Sequence, residues 1–129
     1  MAYTIDRTFD HASFEDIDQR TRKALADHGF GVLTEIDVAA TMKKKLDADM
    51  PPYLILGACN PKMAHQAIGI EPRIGAMLPC NVIIRNTGNG AVTVSAVDPV
   101  ASMQAVGNQQ LTEVAGQVRA MLESAVHDI

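Results

Sequence analysis

The middle of the chain reads Tyr53-Leu54-Ile55-Leu56-Gly57-Ala58-Cys59-Asn60-Pro61. Up to Ala58 the residues are apolar on both faces that a strand would present, which predicts a central strand over residues 53–59. Asn60 is a typical helix N-cap and Pro61 a typical first helical residue, so a helix is predicted over 61–68. This stretch therefore predicts a covered strand that runs directly into a helix.

Patterns on either side place the other strands. Alternation of apolar and polar residues predicts strands over residues 2–8, 31–37, 80–85 and 91–97. The last two flank the turn sequence Asn86-Thr87-Gly88-Asn89-Gly90, which predicts a hairpin. In the strand over 31–37, one face of the sheet is expected to carry Val32, Thr34 and Ile36, and the other Leu33 and Glu35.

Helical periodicity predicts two long amphipathic helices, over residues 14–28 and 108–127. A shorter helix is predicted over 39–49, with Met42 and Leu46 facing inward. Residues 70–77 are expected to form a loop, and a short helical piece is expected to start at Asp98-Pro99. The order of strand, helix, four strands with short inserted helices and long helix predicts one two-layer α+β domain over residues 1–129, with a mostly antiparallel sheet.

Both cysteines of the chain stand at the ends of predicted strands. If strands 53–59 and 80–85 are antiparallel neighbours, Cys59 and Cys80 face each other at one end of the sheet, whereas parallel strands would hold them at opposite ends. Residues 60–79 are numerous enough for a parallel crossover, so the spacing leaves both arrangements open. The hairpin and the short intervening helix favour the antiparallel arrangement.

The corner predicted in this way carries five candidate ligand or thiol residues: Cys59, Cys80, Asn60, Asn81 and His65. Cys59 precedes a helix N-terminus, where backbone N–H groups and the helix dipole favour a thiolate, so it is the candidate reactive thiol. Cys80 alternates with Asn81 along its strand and is expected to point toward the helix-covered core. The two asparagines either offer amide groups to a ligand or satisfy backbone groups at turns.

Metal chemistry is only weakly indicated. The soft or nitrogen ligands closest to the cysteines in sequence are Met63, Met77 and His65, and His65 has the ordinary alternative of a packed or surface histidine. No Cys-x-x-Cys or His-x-x-His is present, so a closed zinc site is not predicted and no metal or cofactor is assigned. A two-thiol site for a soft monovalent metal stays open as an alternative. The methionines themselves are expected to fill gaps in the core of an aromatic-poor chain, and this expectation covers Met42, Met50, Met63, Met77, Met103 and Met121.

Composition limits the expected partners and location. A net charge of −4 argues against a nucleic-acid binder. No apolar run approaches the length of a membrane span, and the first residues lack a signal-peptide pattern. Two cysteines suit a cytoplasmic protein. The exposed sheet face is expected to be apolar enough for a homodimer interface, carrying Ile83, Thr93, Ser95 and Val97.

Three functions are compatible with these patterns. The preferred hypothesis is a dimeric, non-enzymatic binding or sensing module with a thiol-lined site for a small molecule. One alternative is a thiol-dependent redox or sulfur-handling enzyme that uses Cys59 with Cys80 as resolving thiol, although no base is visible near Cys59. The other is that both cysteines are structural, since free cysteine behaves as a small buried hydrophobe.

Several phrases of the sequence resemble the domain-of-unknown-function 302 family (DUF302). They are Gly29-Phe30-Gly31-Val32-Leu33, Glu35-Ile36-Asp37-Val38, residues 53–61, Ile74-Gly75-Ala76-Met77-Leu78-Pro79-Cys80-Asn81-Val82 and Val97-Asp98-Pro99. The resemblance implies a TATA-binding-protein-like α+β fold of β-α-β(4)-α order, decorated by short helices, and a homodimer. It implies no activity and no catalytic residue. The implied order agrees with the element pattern and supports the antiparallel arrangement.

Overall fold

The computed structural model describes residues 2–129. The strands are β1 (Thr4–Phe9), β2 (Gly31–Asp37), β3 (Tyr53–Cys59), β4 (Cys80–Gly88) and β5 (Ala91–Val97). The helices are α1 (Phe14–Asp27), α2 (Val38–Leu46), α3 (Pro61–Ile70), α4 (Pro99–Met103) and α5 (Gln109–His127), with 3₁₀ turns at Pro72–Met77 and Gln104–Val106. Within residues 2–129, every helix is too short or too polar to span a lipid bilayer.

The five strands form one antiparallel sheet in the order β1-β5-β4-β3-β2. β3 pairs directly with β4, with Leu56 opposite Val82 and Ala58 opposite Cys80. α1 and α5 pack on one face of this sheet. The structure therefore confirms the predicted two-layer α+β fold and the antiparallel arrangement of the two cysteine-bearing strands.

The core lies between the sheet and its two long helices. On the sheet side, Leu56, Val82 and Ile84 are fully buried, and on the helix side Ile17 of α1 and Leu122 of α5 are fully buried as well. Burying one such side chain contributes roughly 1.5–3 kcal/mol. Apolar contact is therefore the main force that holds the two layers together.

Polar caps fix where the helices begin. Ser13, Asn60 and Asn108 each accept a hydrogen bond from a backbone N–H in the first turn of α1, α3 and α5, at 3.3, 3.0 and 2.9 Å. These N–H groups have no acceptor inside the helix, so a side-chain oxygen just before the helix stabilises its start. The cap at Asn60 allows α3 to follow β3 without a loop, as the sequence predicts.

The structure corrects the predicted pattern of β2. A β-bulge at Leu33 separates Val32, which pairs with Ala58, from Thr34, which pairs with the preceding residue of β3. The extra residue turns Val32 toward the helix-covered core, while Thr34 and Ile36 lie on the uncovered face. The expectation that Val32, Thr34 and Ile36 share one face is therefore wrong.

The helix predicted over residues 39–49 ends earlier in the structure. α2 ends at Leu46 because Asp47 adopts a left-handed conformation, with φ of 52°. Leu46 is 69% exposed and does not face inward, whereas Met42 is half-buried as expected. α2 packs mainly on β2 and β3 at the sheet edge, so only a narrow side of this helix has a surface to cover.

Two further element boundaries differ from the predicted ones. α3 continues through Gly69 to Ile70, and most of the predicted loop over 70–77 is a 3₁₀ turn. β4 extends to Gly88, so the hairpin turn narrows to Asn89 and Gly90, both with positive φ. Two consecutive left-handed residues give the tight turn whose twist matches that of the flanking strands.

Gly57 lies where neighbouring segments approach β3 closely. A Cβ atom at this position would lie 2.1 Å from Thr34 Oγ1 and 2.7 Å from Pro79 Cγ. A side chain cannot be placed at such distances without moving its neighbours, so only glycine lets β2 and the segment before β4 approach β3 here.

We expect Gly57→Ala to lower the free energy of unfolding by about 1–3 kcal/mol, because the added methyl group overpacks this contact. Urea denaturation measures the change. Gly116→Ala in α5 is the matched control, since nothing lies within 4 Å of its Cβ position. That control should stabilise the protein by up to about 1 kcal/mol. A Gly57→Ala protein as stable as the parent would contradict the packing described.

Candidate functional site

The pairing of β3 with β4 brings the two cysteines to one end of the sheet. Ala58 lies directly opposite Cys80, and Cys59 is the next residue along β3. From strand geometry, the Cα atoms of Cys59 and Cys80 are about 6 Å apart. Both cysteines are free and half-buried. The antiparallel pairing therefore places both cysteines at the same end of the sheet, offset from each other by one residue.

A cavity of about 50 Å³ lies at this corner. The ends of β3 and β4 form one wall, and α3, α4 and α5 form the others. Apolar side chains dominate its lining, with Phe30 before β2, Ala67 from α3, and Leu111, Ala115 and Val118 from α5. The cavity is therefore an apolar chamber whose most reactive lining groups are two thiols.

Two methionines bring further sulfur atoms to the same cavity. Met63 reaches it from α3 and is half-buried, and Met103 reaches it from α4 and is 7% exposed. With Cys59 and Cys80 they make four sulfur-bearing side chains around one small space, contributed by four different elements. A thioether is polarisable and weakly accepting, so these groups differ in chemistry from the surrounding hydrocarbon.

The surroundings of the Cys80 thiol oppose its ionisation. Burial raises the pKa of the Cys80 thiol to about 11, and the negative charge of a neighbouring Cys59 thiolate contributes to the same rise. Desolvation penalises the charged form of any acid, and a like charge nearby adds to the penalty. Cys80 therefore stays protonated at neutral pH, in agreement with its predicted direction toward the covered face.

Asp98 fixes the wall that α4 contributes. Its carboxylate accepts hydrogen bonds from the backbone N–H of Val100 at 2.9 Å and from Arg119 Nε at 3.0 Å. Burial acts to raise the pKa of Asp98, but the bonds from Arg119 and the backbone outweigh it and leave that pKa below its usual value. The ionised carboxylate ties α4 to α5 and so holds Met103 at the cavity.

The other candidate residues fall in different places. Asn60 lines the cavity, but its Oδ1 accepts the Met63 backbone N–H at 3.0 Å, so this oxygen serves as the cap of α3. Asn81 alternates with Cys80 and lies on the uncovered face of the sheet, in a shallow depression with Ile83. His65 is exposed on α3 and does not line the cavity. The structure therefore brings together Cys59, Cys80 and Asn60 only.

Nitrogen and carboxylate ligands are scarce around the thiols. Among residues 2–129, His, Cys, Asp and Glu side chains nowhere gather in groups of three that could hold a metal ion. Met77, one of the soft ligands considered from the sequence, is 43% exposed and is not among the lining residues. The donor groups of the cavity are therefore thiols, thioethers and the amide of Asn60.

Sequence reasoning missed the contributions of α4 and α5. Met103 was expected only to fill core space, and Leu111 and Ala115 only to form part of an apolar helix stripe. These residues are more than 20 positions from Cys80, and no local pattern indicates which end of the sheet they cover. The one available signal was the Asp98-Pro99 cap, which starts α4 directly after β5.

We expect the Cys80 thiol to react readily only at high pH. Modification of Cys80 by a small alkylating reagent should accelerate with pH toward a midpoint of about 11, because the thiolate is the reactive form. Quenched labelling followed by peptide mass spectrometry gives the rate at each cysteine. Cys59→Ser should lower the Cys80 midpoint, since it removes the neighbouring negative charge. A Cys80 midpoint at the ordinary thiol value of about 8.5 would contradict this description.

Comparisons with known proteins agree with the fold and leave the chemistry open. The family model described as "Domain of unknown function DUF302" matches residues 5–129. A solved structure, that of the uncharacterised conserved protein DUF302 from Bacillus stearothermophilus, superposes with a TM-score of 0.91 at 22% identity, covering 99% of this chain and 98% of that one. No curated protein is detectably similar to the sequence. The protein belongs to the DUF302 family.

Proposed function

We propose that this protein is a small binding or sensing module whose ligand occupies the apolar cavity beside Cys59 and Cys80. The observation that carries the proposal is the cavity itself, which the fold places between the sheet end and three helices, with both thiols in its wall. A binding site in an uncharacterised fold is best sought where an apolar pocket has a few convergent polar or reactive groups.

The volume of the cavity limits the ligand. At about 50 Å³ it is well below the roughly 300–1,000 Å³ of typical pockets for drug-sized molecules. It exceeds the 10–15 Å³ that one water molecule needs, by about a factor of three to five. The ligand is therefore a species of few atoms that thiols can recognise, rather than a nucleotide, a flavin or a peptide.

The groups around the thiols support binding more than catalysis. No His, Asp, Glu or Lys lines the cavity, so no side chain is placed to take a proton from either cysteine. A cysteine nucleophile depends on an adjacent base or a positively charged neighbour for its activation. The high pKa of Cys80 makes it a poor nucleophile near pH 7. A reduced thiol pair also suits a cytoplasmic location.

A thiol redox role is the second candidate, and the closeness of the cysteines favours it. A Cα separation of about 6 Å is within the range that a disulfide can bridge. Exchange with a small organic disulfide would form the Cys59–Cys80 bond and break the S–S bond of the reagent, whose two sulfurs take the two electrons and the two protons and leave as free thiols. A hydroperoxide would instead have its O–O bond broken and leave as an alcohol and water. The labelling experiment below separates this role from ligand binding.

We also propose that the uncovered sheet face joins two copies of the chain. Five residues lie side by side in one row across the five strands: Asp6, Ser95, Ile83, Ile55 and Ile36. Ile36 is 49% exposed, and Ile55 and Ile83 are half-exposed. Three adjacent isoleucines on one open face form an apolar stripe that a second copy would bury.

Charges at this face favour a symmetric pair. Asp6 on β1 and Arg85 on β4 lie on either side of β5, and neither forms an ion pair within residues 2–129. If a two-fold axis crosses β5 between these two residues, Asp6 of each copy lies against Arg85 of the other copy. Thr93 and Ser95 of β5 were expected to be exposed on this face, but they are only 6% and 5% exposed. Small, buried side chains therefore form the middle of the face.

We expect access to the cavity to depend on reagent size. Methyl methanethiosulfonate, which adds only a methylthio group, should modify both cysteines of the native protein, whereas a bulky maleimide should reach Cys59 alone. Ala115→Leu fills the cavity and should slow modification of Cys80 at least severalfold, because Ala115 is in its wall. Ala120→Leu, on the exposed side of the same helix, is the matched control and should leave the rate unchanged.

Two results would contradict the binding proposal. The first is that both thiols react only after unfolding in urea, which would make them structural. The second is that one equivalent of a small organic disulfide converts the native protein quantitatively to an internal Cys59–Cys80 disulfide faster than any mixed disulfide accumulates, which favours the redox role.

The proposed dimer should dissociate when a charged residue replaces one of the isoleucines of the stripe. We expect Ile83→Asp to convert the protein from dimer to monomer in light scattering, because the carboxylate would be buried against the partner. Gln117→Asp adds the same charge on the exposed side of α5 and should leave the mass unchanged. Asp6→Arg and Arg85→Asp should each weaken the dimer, and the double variant should restore it. A monomeric parent protein would rule the dimer out.

A further inference from the structure

We propose that the cavity binds one soft monovalent cation, Cu(I) in its chemistry, through the sulfur atoms of Cys59, Cys80, Met63 and Met103. The inference rests on the proposed binding function of the cavity and names the class of its ligand. What points to a cation is that two cysteines and two methionines line one space of about 50 Å³.

The donor set selects the type of metal. Thiolate and thioether sulfurs are soft ligands that favour Cu(I), whereas Zn²⁺ sites are built from thiolates, imidazoles and carboxylates. Within the described residues no third Cys, His, Asp or Glu joins the pair, so a closed zinc site lacks its ligands. Met63 and Met103 add thioethers, which a soft monovalent ion accepts as weak ligands.

Four different elements bring the sulfur-bearing residues to the cavity. β3 and β4 hold Cys59 and Cys80 next to each other, and the two methionines approach from α3 and α4. A methionine side chain has three rotatable bonds, so its sulfur can adjust to an ion without backbone movement. The start of α3, immediately after Cys59, places partial positive charge beside the thiolates that the ion would require.

The size and apolarity of the cavity argue for a bare ion. Its space is too small for an organic ligand of ordinary size, and its hydrocarbon walls give water few hydrogen-bond partners. A cation that keeps its hydration shell, such as Mg²⁺, would find no carboxylate ligand in the lining and little room for its waters. A soft ion would replace its water with sulfur ligands, and the cysteine thiols would release their protons to solvent as they bind it.

The test is anaerobic titration of the reduced full-length protein with Cu(I), and with Ag(I) as a redox-inert probe. Native mass spectrometry should show one ion per chain, and competition with a chromophoric Cu(I) chelator gives the affinity. Cys59→Ser and Cys80→Ser should each abolish the complex. Met103→Leu, nearly isosteric, should weaken binding by about 10- to 100-fold, the usual effect of losing a supporting group at a metal site. Met77→Leu, outside the cavity, is the matched control and should bind like the parent.

Three outcomes would overturn the proposal: no ion retained by the parent protein, equal affinity of the Met103→Leu and Met77→Leu proteins, or binding of Zn²⁺ as tight as that of Cu(I). Circular dichroism checks each variant for folding, and the methionine variants decide the matter if a serine variant does not fold. Labelling with methyl methanethiosulfonate on the same preparation separates the two levels of inference. If the thiols are labelled but Cu(I) does not bind, the cation proposal fails and the proposed function of the cavity stands. If neither labelling nor Cu(I) binding occurs, both proposals fail.

Discussion

The antiparallel pairing of β3 with β4 is the constraint on which the rest of the molecule depends. Its register puts Leu56 opposite Val82 and Ala58 opposite Cys80, so the same pairing that buries the centre of the core also brings the two thiols together. A shift of one residue would turn the buried side chains of one strand to the opposite face. Core stability and the geometry of the candidate site are therefore set by one set of backbone hydrogen bonds.

The sulfur-lined cavity follows from how the helices close over the end of this strand pair. Only the capping residue Asn60 separates α3 from Cys59, and only the capping residue Asp98 separates α4 from β5. Small residues of α5, such as Ala115, leave space between these two short helices. An apolar chamber results in which a thiol is costly to ionise and in which a soft ligand has no competition from charged side chains.

The two faces of the sheet carry different kinds of side chains. The covered face carries the core and the thiols, and the uncovered face carries a row of isoleucines with an acidic and a basic residue that have no ion-pair partner within residues 2–129. Asn81 and Cys80 are neighbours in sequence and yet belong to opposite faces. The proposed ligand site and the proposed contact between two copies therefore lie on separate surfaces of one small protein.

The sequence by itself determined the element order, the cap of α3 and the hairpin between β4 and β5, because periodicity, turn residues and capping are local properties. It favoured, without deciding, the antiparallel pairing that brings Cys59 and Cys80 to one end of the sheet. It could not reveal the bulge at Leu33, the outward position of Leu46 or the arrival of Met103 beside the thiols. Those features depend on which distant segments pack together, and no spacing within a short window records that. The stretch 53–61 thus predicted a strand, a helix and a thiol, and only the tertiary structure surrounded that thiol with three more sulfur-bearing side chains.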